Sequence, residues 1–200
     1  MKCVQKSTFP AFETIKSLDG VVQNIRFHQE RFDRTRRELY GTTQPIALVS
    51  LLFPPKTFTC RVRVEYTQEI LKVEYIPYQP RVINSFYVVE SSLEYAHKLC
   101  DRTKINALLK EDYDDVFITK DGFLRDTSIA NIALLIDGVW RTPNTPLLEG
   151  TTRQRLVESG FLSVESLNIS TIQKAEKFAI MNALIGFRII ENVNIIRDEN

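Results

Sequence analysis

The stretch from Asp121 to Thr152 combines an acidic turn with a helix start, and both could contact a small anionic ligand. Two Asp-Gly pairs, at 121–122 and 137–138, lie between short apolar runs, which is the pattern of a tight β-hairpin. Asp126 begins a polar turn between the two hairpins, and Gly150 precedes two threonines at a predicted helix start. Backbone N–H groups at a helix start bind anions, so this stretch suits a compact ligand with an anionic group.

The order of residues here resembles that of the class IV aminotransferases, the pyridoxal-phosphate enzymes of fold type IV. That family includes branched-chain and D-amino-acid aminotransferases and aminodeoxychorismate lyase. Its pattern is a glycine turn, an acid, an asparagine five residues later, a strand, a Thr-Pro pair and a glycine before a Thr-Arg helix start. The corresponding positions in this sequence are Gly122, Asp126, Asn131, Ile132 to Ile136, Thr142, Pro143, Gly150, Thr152 and Arg153.

The resemblance implies pyridoxal 5'-phosphate (PLP) as cofactor and a lysine that forms a Schiff base with it. Such an enzyme also needs an acid that faces the pyridine nitrogen and donors for the phosphate. The family's lysine lies between a strand and the next helix, shortly before an Arg or Tyr and upstream of the acid. Lys98 fits this placement, whereas Lys104, Lys110 and Lys120 fit it less well.

The resemblance assigns Asp126 as the acid that keeps the pyridine nitrogen protonated. The family usually has Glu at this position, and the shorter side chain requires the turn to lie closer to the cofactor. Asn131 is expected to bind alongside Asp126. The short motif Asn182-Ala183-Leu184 is similar to a late strand turn whose backbone lies beside the cofactor or the substrate carboxylate.

Arginine and a helix start are expected to bind the cofactor phosphate. Arg31 matches the His-x-x-Arg of the family's N-terminal helix, here beginning at His28. The resemblance implies that Thr151 and Thr152 at the later helix start provide the second contact to the phosphate.

The substrate-binding residues are less well defined. The chain lacks the Arg-Gly segment that helps to bind the substrate carboxylate in many relatives. Arg61 and Arg63 are candidates to replace it. Alternation along a predicted strand puts both on one face but does not indicate which face. Arg102, four residues after Lys98, is a further candidate.

Composition and charge are those of an ordinary soluble globular protein. Of 200 residues, 44% are hydrophobic and 26% charged, and a net charge of +1 gives no reason to expect binding to nucleic acid or to an anionic membrane. The first residues lack the apolar segment of a signal peptide, and no apolar run could span a bilayer. The three cysteines, Cys3, Cys60 and Cys100, form no metal-binding or redox motif. We therefore expect a cytoplasmic protein without a structural metal.

The predicted elements indicate an α+β protein of two domains. The N-terminal domain, residues 1–80, is expected to contain strands at 12–16, 59–66 and 70–76 and a helix at 27–40 that ends at Gly41. Pro77 and Pro80 mark a linker.

The C-terminal domain, residues 84–200, is expected to carry the lysine and most of the cofactor site. Its predicted elements are a strand at 85–90, a helix from Arg102 to about Lys110 capped by Asp101, the two hairpins, a helix from Gly150 to about Ser159 and a strand at 178–181.

The leading hypothesis is a PLP-dependent aminotransferase or aminodeoxychorismate lyase-like enzyme that acts on an amino substrate. Lys98 would form the Schiff base and transfer the Cα proton, and the family suggests a homodimer. The alternative is a non-catalytic interaction protein that uses the helix with five arginines between Arg26 and Arg37. The interleaved acidic residues and the balanced net charge speak against this alternative.

Overall fold

The structure, a computed structural model, describes residues 9–197 of the chain. Cys3 and most of the segment considered for a signal peptide lie outside this range. The chain forms two compact units: unit 1 extends to Gln79 and includes His97–Asp101, and unit 2 comprises Pro80–Ala96 and the chain from Arg102 onwards. None of the helices within residues 9–197 has the length and hydropathy needed to cross a membrane.

Unit 1 is an antiparallel sheet with one long helix. Its elements are β1 (Ala11–Leu18), β2 (Val21–Val22), α1 (Ile25–Tyr40), a 3₁₀ turn (Leu48–Leu51), β3 (Cys60–Tyr66) and β4 (Ile70–Pro77). The strand order is β2-β1-β3-β4. The predicted helix and the predicted pairing of 59–66 with 70–76 are confirmed.

One face of this sheet forms the core of unit 1. In β3, Cys60, Val62, Val64 and Tyr66 are buried, and the residues between them are only partly covered. Because side chains alternate along a strand, Arg61 and Arg63 lie on the opposite face. Helix α1 ends where Gly41 takes a φ of 67°, a left-handed conformation that glycine adopts without strain.

Unit 2 contains a larger mixed sheet. Its elements are β5 (Ser85–Glu90), α2 (Thr103–Asn106), β6 (Asp115–Lys120), β7 (Phe123–Thr127), β8 (Asn131–Ile136), β9 (Val139–Pro143), α3 (Thr151–Glu158), β10 (Ser163–Glu165), a 3₁₀ turn (Ile169–Lys174), β11 (Lys177–Asn182), β12 (Gly186–Ile190) and β13 (Asn194–Ile196). The strand order is β10-β9-β8-β7-β6-β5-β13, with β11 paired to β8 and β12.

Both predicted hairpins are present in this sheet. Asp121 and Gly122 connect β6 to β7, and Asp137 and Gly138 connect β8 to β9. All four residues have positive φ, between 50° and 77°, as a two-residue hairpin turn requires. These turns fix the register of β7 and β8, which carry Asp126 and Asn131.

Aromatic rings fill the core of unit 2. Phe86 and Phe117 stack with their ring centroids 4.5 Å apart, and the ring of Phe178 meets both edge-on. These three side chains are almost fully buried. Packing of these rings therefore fixes β5, β6 and β11 relative to one another.

The helix predicted from Arg102 to about Lys110 is wrong in length and in its cap. Helix α2 covers only Thr103–Asn106, and its N-cap residue is Arg102, which makes no side-chain cap. In this segment Ile105 is buried, whereas Leu109 is exposed. A longer helix would need a stripe of buried apolar side chains, and this segment buries only one.

The segment with Lys98 belongs to unit 1, not to the C-terminal domain in which the sequence placed it. Leu99 forms a bridge with Ala11, and the Phe12 N–H donates to the Lys98 carbonyl at 2.8 Å. The Cys100 N–H donates to the Pro10 carbonyl at the same distance. These backbone bonds to β1 come from a part of the chain far away in sequence, and local patterning could not indicate them.

Candidate functional site

In unit 1 the predicted phosphate ligand Arg31 is held by a buried glutamate. Its Nε donates to Glu13 Oε1 at 2.9 Å and its Nη2 donates to Glu13 Oε2 at 2.6 Å. His28 Nδ1 lies 2.7 Å from the same Oε2. The two-point contact fixes the plane of the guanidinium, as expected for a fork that matches a carboxylate.

The pKa values in this cluster follow from its burial and its charges. Burial acts to raise the pKa of Glu13, but the charge of Arg31 and the hydrogen bonds from His28 and Arg31 outweigh it and lower that pKa to about 2. Burial lowers the pKa of His28, and the bond to Glu13 only partly opposes this. At neutral pH the cluster therefore contains one ion pair and a neutral imidazole.

Lys98 is half-buried and contacts the ring of Phe12 on β1. Its Nζ lies 4.7 Å from the ring centroid, and the guanidinium carbon of Arg63 lies 4.0 Å from the same centroid. The charge of Lys98 also acts on the imidazole of His28. Unit 1 thus brings Lys98 and the Arg31 cluster within electrostatic reach of each other.

The other lysines weighed from sequence are in less suitable surroundings. Lys104 and Lys110 are exposed in unit 2. Lys120 forms an ion pair with Glu94 at 2.5 Å. A lysine that acts as a nucleophile has to lose its proton, which a solvated or ion-paired ammonium resists. Lys98 remains the candidate.

In unit 2 the acid Asp126 is buried on β7 with 4% of its surface exposed. Its Oδ1 accepts from Asn131 Nδ2 at 2.7 Å, and its Oδ2 accepts from the Leu148 N–H at 2.9 Å. Burial raises the pKa of Asp126 to about 7, although these bonds and the charge of Arg153 lower it in part. Among residues 9–197, the hydrogen-bond donors to this carboxyl are neutral groups.

Asn131 joins the acid to the loop that precedes α3. Its Nδ2 donates to the Leu148 carbonyl at 2.8 Å as well as to Asp126. A Cβ on Gly150 would lie 1.9 Å from Asn131 Oδ1, so only glycine leaves room for this amide. The glycine of the sequence pattern is therefore required by the close approach of Asn131, because its own φ of −76° is ordinary.

Helix α3 starts directly after this loop with two buried threonines. Thr151 and Thr152 are exposed by only 3% and 4%. Arg153 is also buried, and its Nη2 donates to the Pro143 carbonyl at 2.8 Å. The structure thus connects Asp126, through Leu148 and Gly150, to the helix start predicted to bind phosphate.

The turn after Asp126 is also contacted by the late strand turn. Thr127 Oγ1 accepts from the Ala130 N–H at 3.1 Å and closes the turn. Asn182 Nδ2 donates to the Ile129 carbonyl at 3.2 Å, and its Oδ1 accepts from the N–H groups of Leu184 and Ile185. Asn182 and Ala183 therefore lie at the same end of unit 2 as Asp126.

The three arginines proposed for the substrate differ in their surroundings. Arg63 donates to Glu65 at 2.8 Å and contacts Cys100 Sγ at 3.5 Å. Arg61 has a buried Nε without a hydrogen-bond acceptor among residues 9–197. Arg102 Nη2 donates to the Ser128 carbonyl at 2.7 Å, so it supports the turn after Asp126.

Sequence reasoning missed the roles of Glu13 and of the Leu148 backbone. Glu13 is a charged residue at a buried alternate position of β1, and a buried charge normally has a partner. That signal, together with His28 and Arg31 at i and i+3 of α1, could have indicated the cluster. The Leu148 N–H carries no sequence signal, because any residue other than proline supplies it.

Comparisons with known proteins agree with the resemblance seen in the sequence. Residues 71–193 match the model of the amino-transferase class IV family. A protein of Haemophilus influenzae (strain ATCC 51907 / DSM 11121 / KW20 / Rd), described as uncharacterized, is 33% identical over 186 residues, which cover 89% of this chain and 99% of that protein.

Solved structures show the same fold. The crystal structure of a "putative 4-amino-4-deoxychorismate lyase" from Haemophilus somnus 129pt superposes with a TM-score of 0.82 at 31% identity, covering 90% of this chain and 98% of that chain. The PLP-bound form of a hypothetical aminotransferase from Mycobacterium tuberculosis has a TM-score of 0.71 at 16% identity, covering 94% of this chain and 81% of that one.

The branched-chain amino acid aminotransferase from Escherichia coli has a TM-score of 0.69 at 16% identity, covering 94% of this chain and 76% of that one. At 16% identity these last two similarities concern the fold alone. The family predicted from the sequence is confirmed. The chain belongs to the amino-transferase class IV family and has the α+β fold of the fold type IV pyridoxal-phosphate enzymes.

Proposed function

We propose that this chain is a PLP-dependent enzyme that acts on an amino substrate, as an aminodeoxychorismate lyase or an amino-acid aminotransferase. Membership of the class IV family supports the reaction type. The name of the Haemophilus somnus relative, at 31% identity over nearly its whole length, favours the lyase.

The surroundings of Asp126 carry the proposal. A buried carboxyl whose hydrogen-bond donors are all neutral is costly when ionised, and its pKa of about 7 reflects that cost. A protonated pyridine nitrogen would supply the positive charge that the pocket itself does not place on the carboxyl. When bound, PLP supplies an aromatic ring that withdraws electrons from the substrate Cα.

Lys98 would hold the cofactor through its amine, and its Nζ would hold and transfer the Cα proton of the substrate. The ring of Phe12 and the nearby cation of Arg63 limit the positions of this ammonium. A positioned proton-transfer group typically contributes about 10²- to 10⁴-fold in rate.

Arg31 and the start of α3 hold the phosphate. Glu13 orients the guanidinium of Arg31 before any ligand binds, so little side-chain entropy is lost on binding. Thr151 and Thr152 add hydroxyl and backbone N–H donors at the positive end of the α3 dipole. Asn131 keeps Asp126 oriented, and Asn182 and Ala183 would contact the cofactor.

Substrate carboxylate binds to arginine on the face of β3 opposite the core. Arg61 and Arg63 share that face, and the buried Nε–H of Arg61 needs an acceptor. Arg102 contributes to substrate binding indirectly, because its side chain supports the turn after Asp126 through the Ser128 carbonyl. We propose a homodimer as the assembly, as is common in the family.

The arginine-rich helix gives little support to the alternative of an interaction protein. Arg36 is 1% exposed and donates to the carbonyls of Gln44 and Gln68. Arg31 is buried on Glu13. Two of the five arginine side chains are therefore buried and hydrogen-bonded inside unit 1, and they do not contribute to a basic surface.

Absorbance of the protein after saturation with PLP and gel filtration tests the proposal. Wild type and the exposed-lysine control Lys104→Ala should retain a protein-bound band in the near-ultraviolet or visible, and Lys98→Ala should lose it. If wild type retains no band, or Lys98→Ala keeps the wild-type spectrum, the proposal is wrong.

A single-turnover experiment separates the two reactions. Release of one equivalent of keto acid from an amino acid supports an aminotransferase. Release of pyruvate from aminodeoxychorismate supports the lyase.

A further inference from the structure

Strand β7 contains an irregularity directly before Asp126. Asp126 pairs with Ile118 and Leu124 pairs with Thr119, so the two neighbouring pairs on β6 enclose one extra residue on β7. That residue is Arg125. A β-bulge of this kind redirects side chains and is frequent beside functional sites.

The side chain of Arg125 is buried and bonded to backbone carbonyls. Its exposure is 8%. Nε donates to the Thr145 carbonyl at 3.1 Å, Nη2 to the Pro146 carbonyl at 3.3 Å and Nη1 to the Leu93 carbonyl at 2.9 Å. The exposed Glu94 lies 3.5 Å away and adds a weak ion pair.

The loop held by Arg125 is the loop that orients Asp126. Arg125 binds the carbonyls of residues 145 and 146, and Asp126 binds the N–H of Leu148. The carbonyls of Thr145 and Pro146 lie outside the strands of the sheet, and the Arg125 side chain donates to both. Two consecutive residues of one strand therefore contact this loop at two neighbouring places.

The third acceptor links this loop to another part of the chain. Leu93 lies in the segment between β5 and the residues that carry Lys98. Arg125 thus joins the loop of the acid to the segment that leads towards the lysine. Lysine could not replace it, because a single ammonium does not reach three separated carbonyls.

We propose that Arg125 is a positioning residue that fixes the Leu148 N–H on Asp126 by holding residues 145–146 and 93 together. Its relevance to catalysis rests on the proposed function, in which Asp126 is the acid that faces the cofactor. The resemblance to the family and its sequence pattern assign nothing to this position.

Amide hydrogen exchange of the cofactor-free protein tests the proposal. In Arg125→Met the Leu148 N–H should exchange at least about tenfold faster relative to the β8 amides of the same variant. Arg125→Lys should give an intermediate increase. The Asp126 carboxyl, followed by its infrared band, should titrate at higher pH in both variants, because the bond that favours its ionised form is weakened.

Arg188→Met is the matched control. Arg188 donates to the Arg81 carbonyl at 2.9 Å elsewhere in unit 2, and its loss removes the same charge and the same type of bond. The Leu148 exchange rate and the Asp126 titration should stay as in wild type. A merely structural role for Arg125 would change global stability without this local effect.

Three results would overturn the proposal. One is equal acceleration of Leu148 and β8 amides in the Arg125 variants, and another is an unchanged Asp126 titration. If the variants do not fold, wild type alone decides: a Leu148 N–H that exchanges as fast as an exposed loop amide excludes the role. Absence of PLP binding by wild type would refute the proposed function and leave these exchange results valid.

Discussion

Two of the buried carboxyl groups, Glu13 in unit 1 and Asp126 in unit 2, have opposite electrostatic environments. Glu13 in unit 1 contacts the guanidinium of Arg31 at two points, and its pKa lies at about 2. Asp126 in unit 2 accepts bonds from an amide and a backbone N–H, and its pKa lies at about 7. Both groups are buried, so the difference comes from the partners and not from the depth of burial.

The two units differ in whether a buried carboxylate is paired with a cation of the protein. In unit 1 the positive charge of Arg31 is already balanced, and the cluster serves to orient a side chain. In unit 2 the pocket supplies oriented neutral donors and no contacting cation to Asp126, among the residues that the structure describes. Perturbed buried carboxyls of the second kind are typical of functional sites, and a cationic ring nitrogen would complete this one.

The largest effect is expected for Glu13→Gln. This change leaves the guanidinium of Arg31 buried without its counter-charge, which typically costs about 3–5 kcal/mol of stability. Urea denaturation at neutral pH measures it. The matched control is Glu30→Gln, whose exposed pair with Arg26 should contribute at most about 0.5 kcal/mol. Similar losses for both variants would show that the Glu13 cluster is not a true buried ion pair.

The pH dependence of stability should differ between the two groups. Because the folded pKa of Asp126 is raised from 3.8 to about 7, wild type loses stability as the pH rises from about 4 to about 7. The folded pKa of Glu13 is lowered from 4.5 to about 2. The protein therefore also loses stability as the pH falls from about 4.5 to about 2.

Asp126→Asn isolates the first of these effects. The amide does not titrate, so the free energy of unfolding should change less between about pH 4 and 7. The loss of stability below pH 4.5, which comes from Glu13, should remain. Denaturation curves at several pH values measure both. Parallel curves for wild type and variant across pH 4–7 would contradict a raised Asp126 pKa.

A smaller effect is expected for Gly150→Ala. The added methyl group would overlap Asn131 Oδ1, and such overpacking costs about 1–3 kcal/mol. In the background Asn131→Ala the same change should cost much less, because the overlapping atom is absent. Additive losses in this double-mutant cycle would assign the requirement for glycine to another cause.

The smallest effect is expected for His28→Gln. The imidazole is neutral in the folded protein, so this change replaces one neutral hydrogen bond to Glu13 by another and should cost about 1 kcal/mol or less. Denaturation measures the loss. A loss as large as that of Glu13→Gln would mean that His28 carries a charge in the cluster.

Local sequence signals predicted much of the fold. The two Asp-Gly hairpins and the end of α1 at Gly41 depend on backbone conformations that only a few residue types adopt without strain, so their positions are visible in the sequence. The predicted length of helix α2 was wrong for the converse reason. Its four residues offer a single buried side chain, Ile105, for packing, and that does not stabilise a longer helix.

The candidate site was predictable where one residue type carries the chemistry. Asp126, Lys98 and Arg31 could be named from type and order alone, given the family pattern. The groups around them are harder to name: Glu13 gives only the signal of a charge at a buried strand position, and Arg125 and the Leu148 N–H act through contacts between distant parts of the chain. Those contacts are set by strand register, a bulge and loop packing, which a single sequence does not reveal.

The most direct test is to reduce the PLP-saturated protein with borohydride and to locate the modified lysine by peptide mass spectrometry. We expect one equivalent of cofactor fixed on Lys98, and little fixation in Asp126→Ala at neutral pH because cofactor binding is weakened. Fixation on another lysine, or fixation on Lys98 that does not depend on Asp126, would contradict the claim that these two residues serve one cofactor.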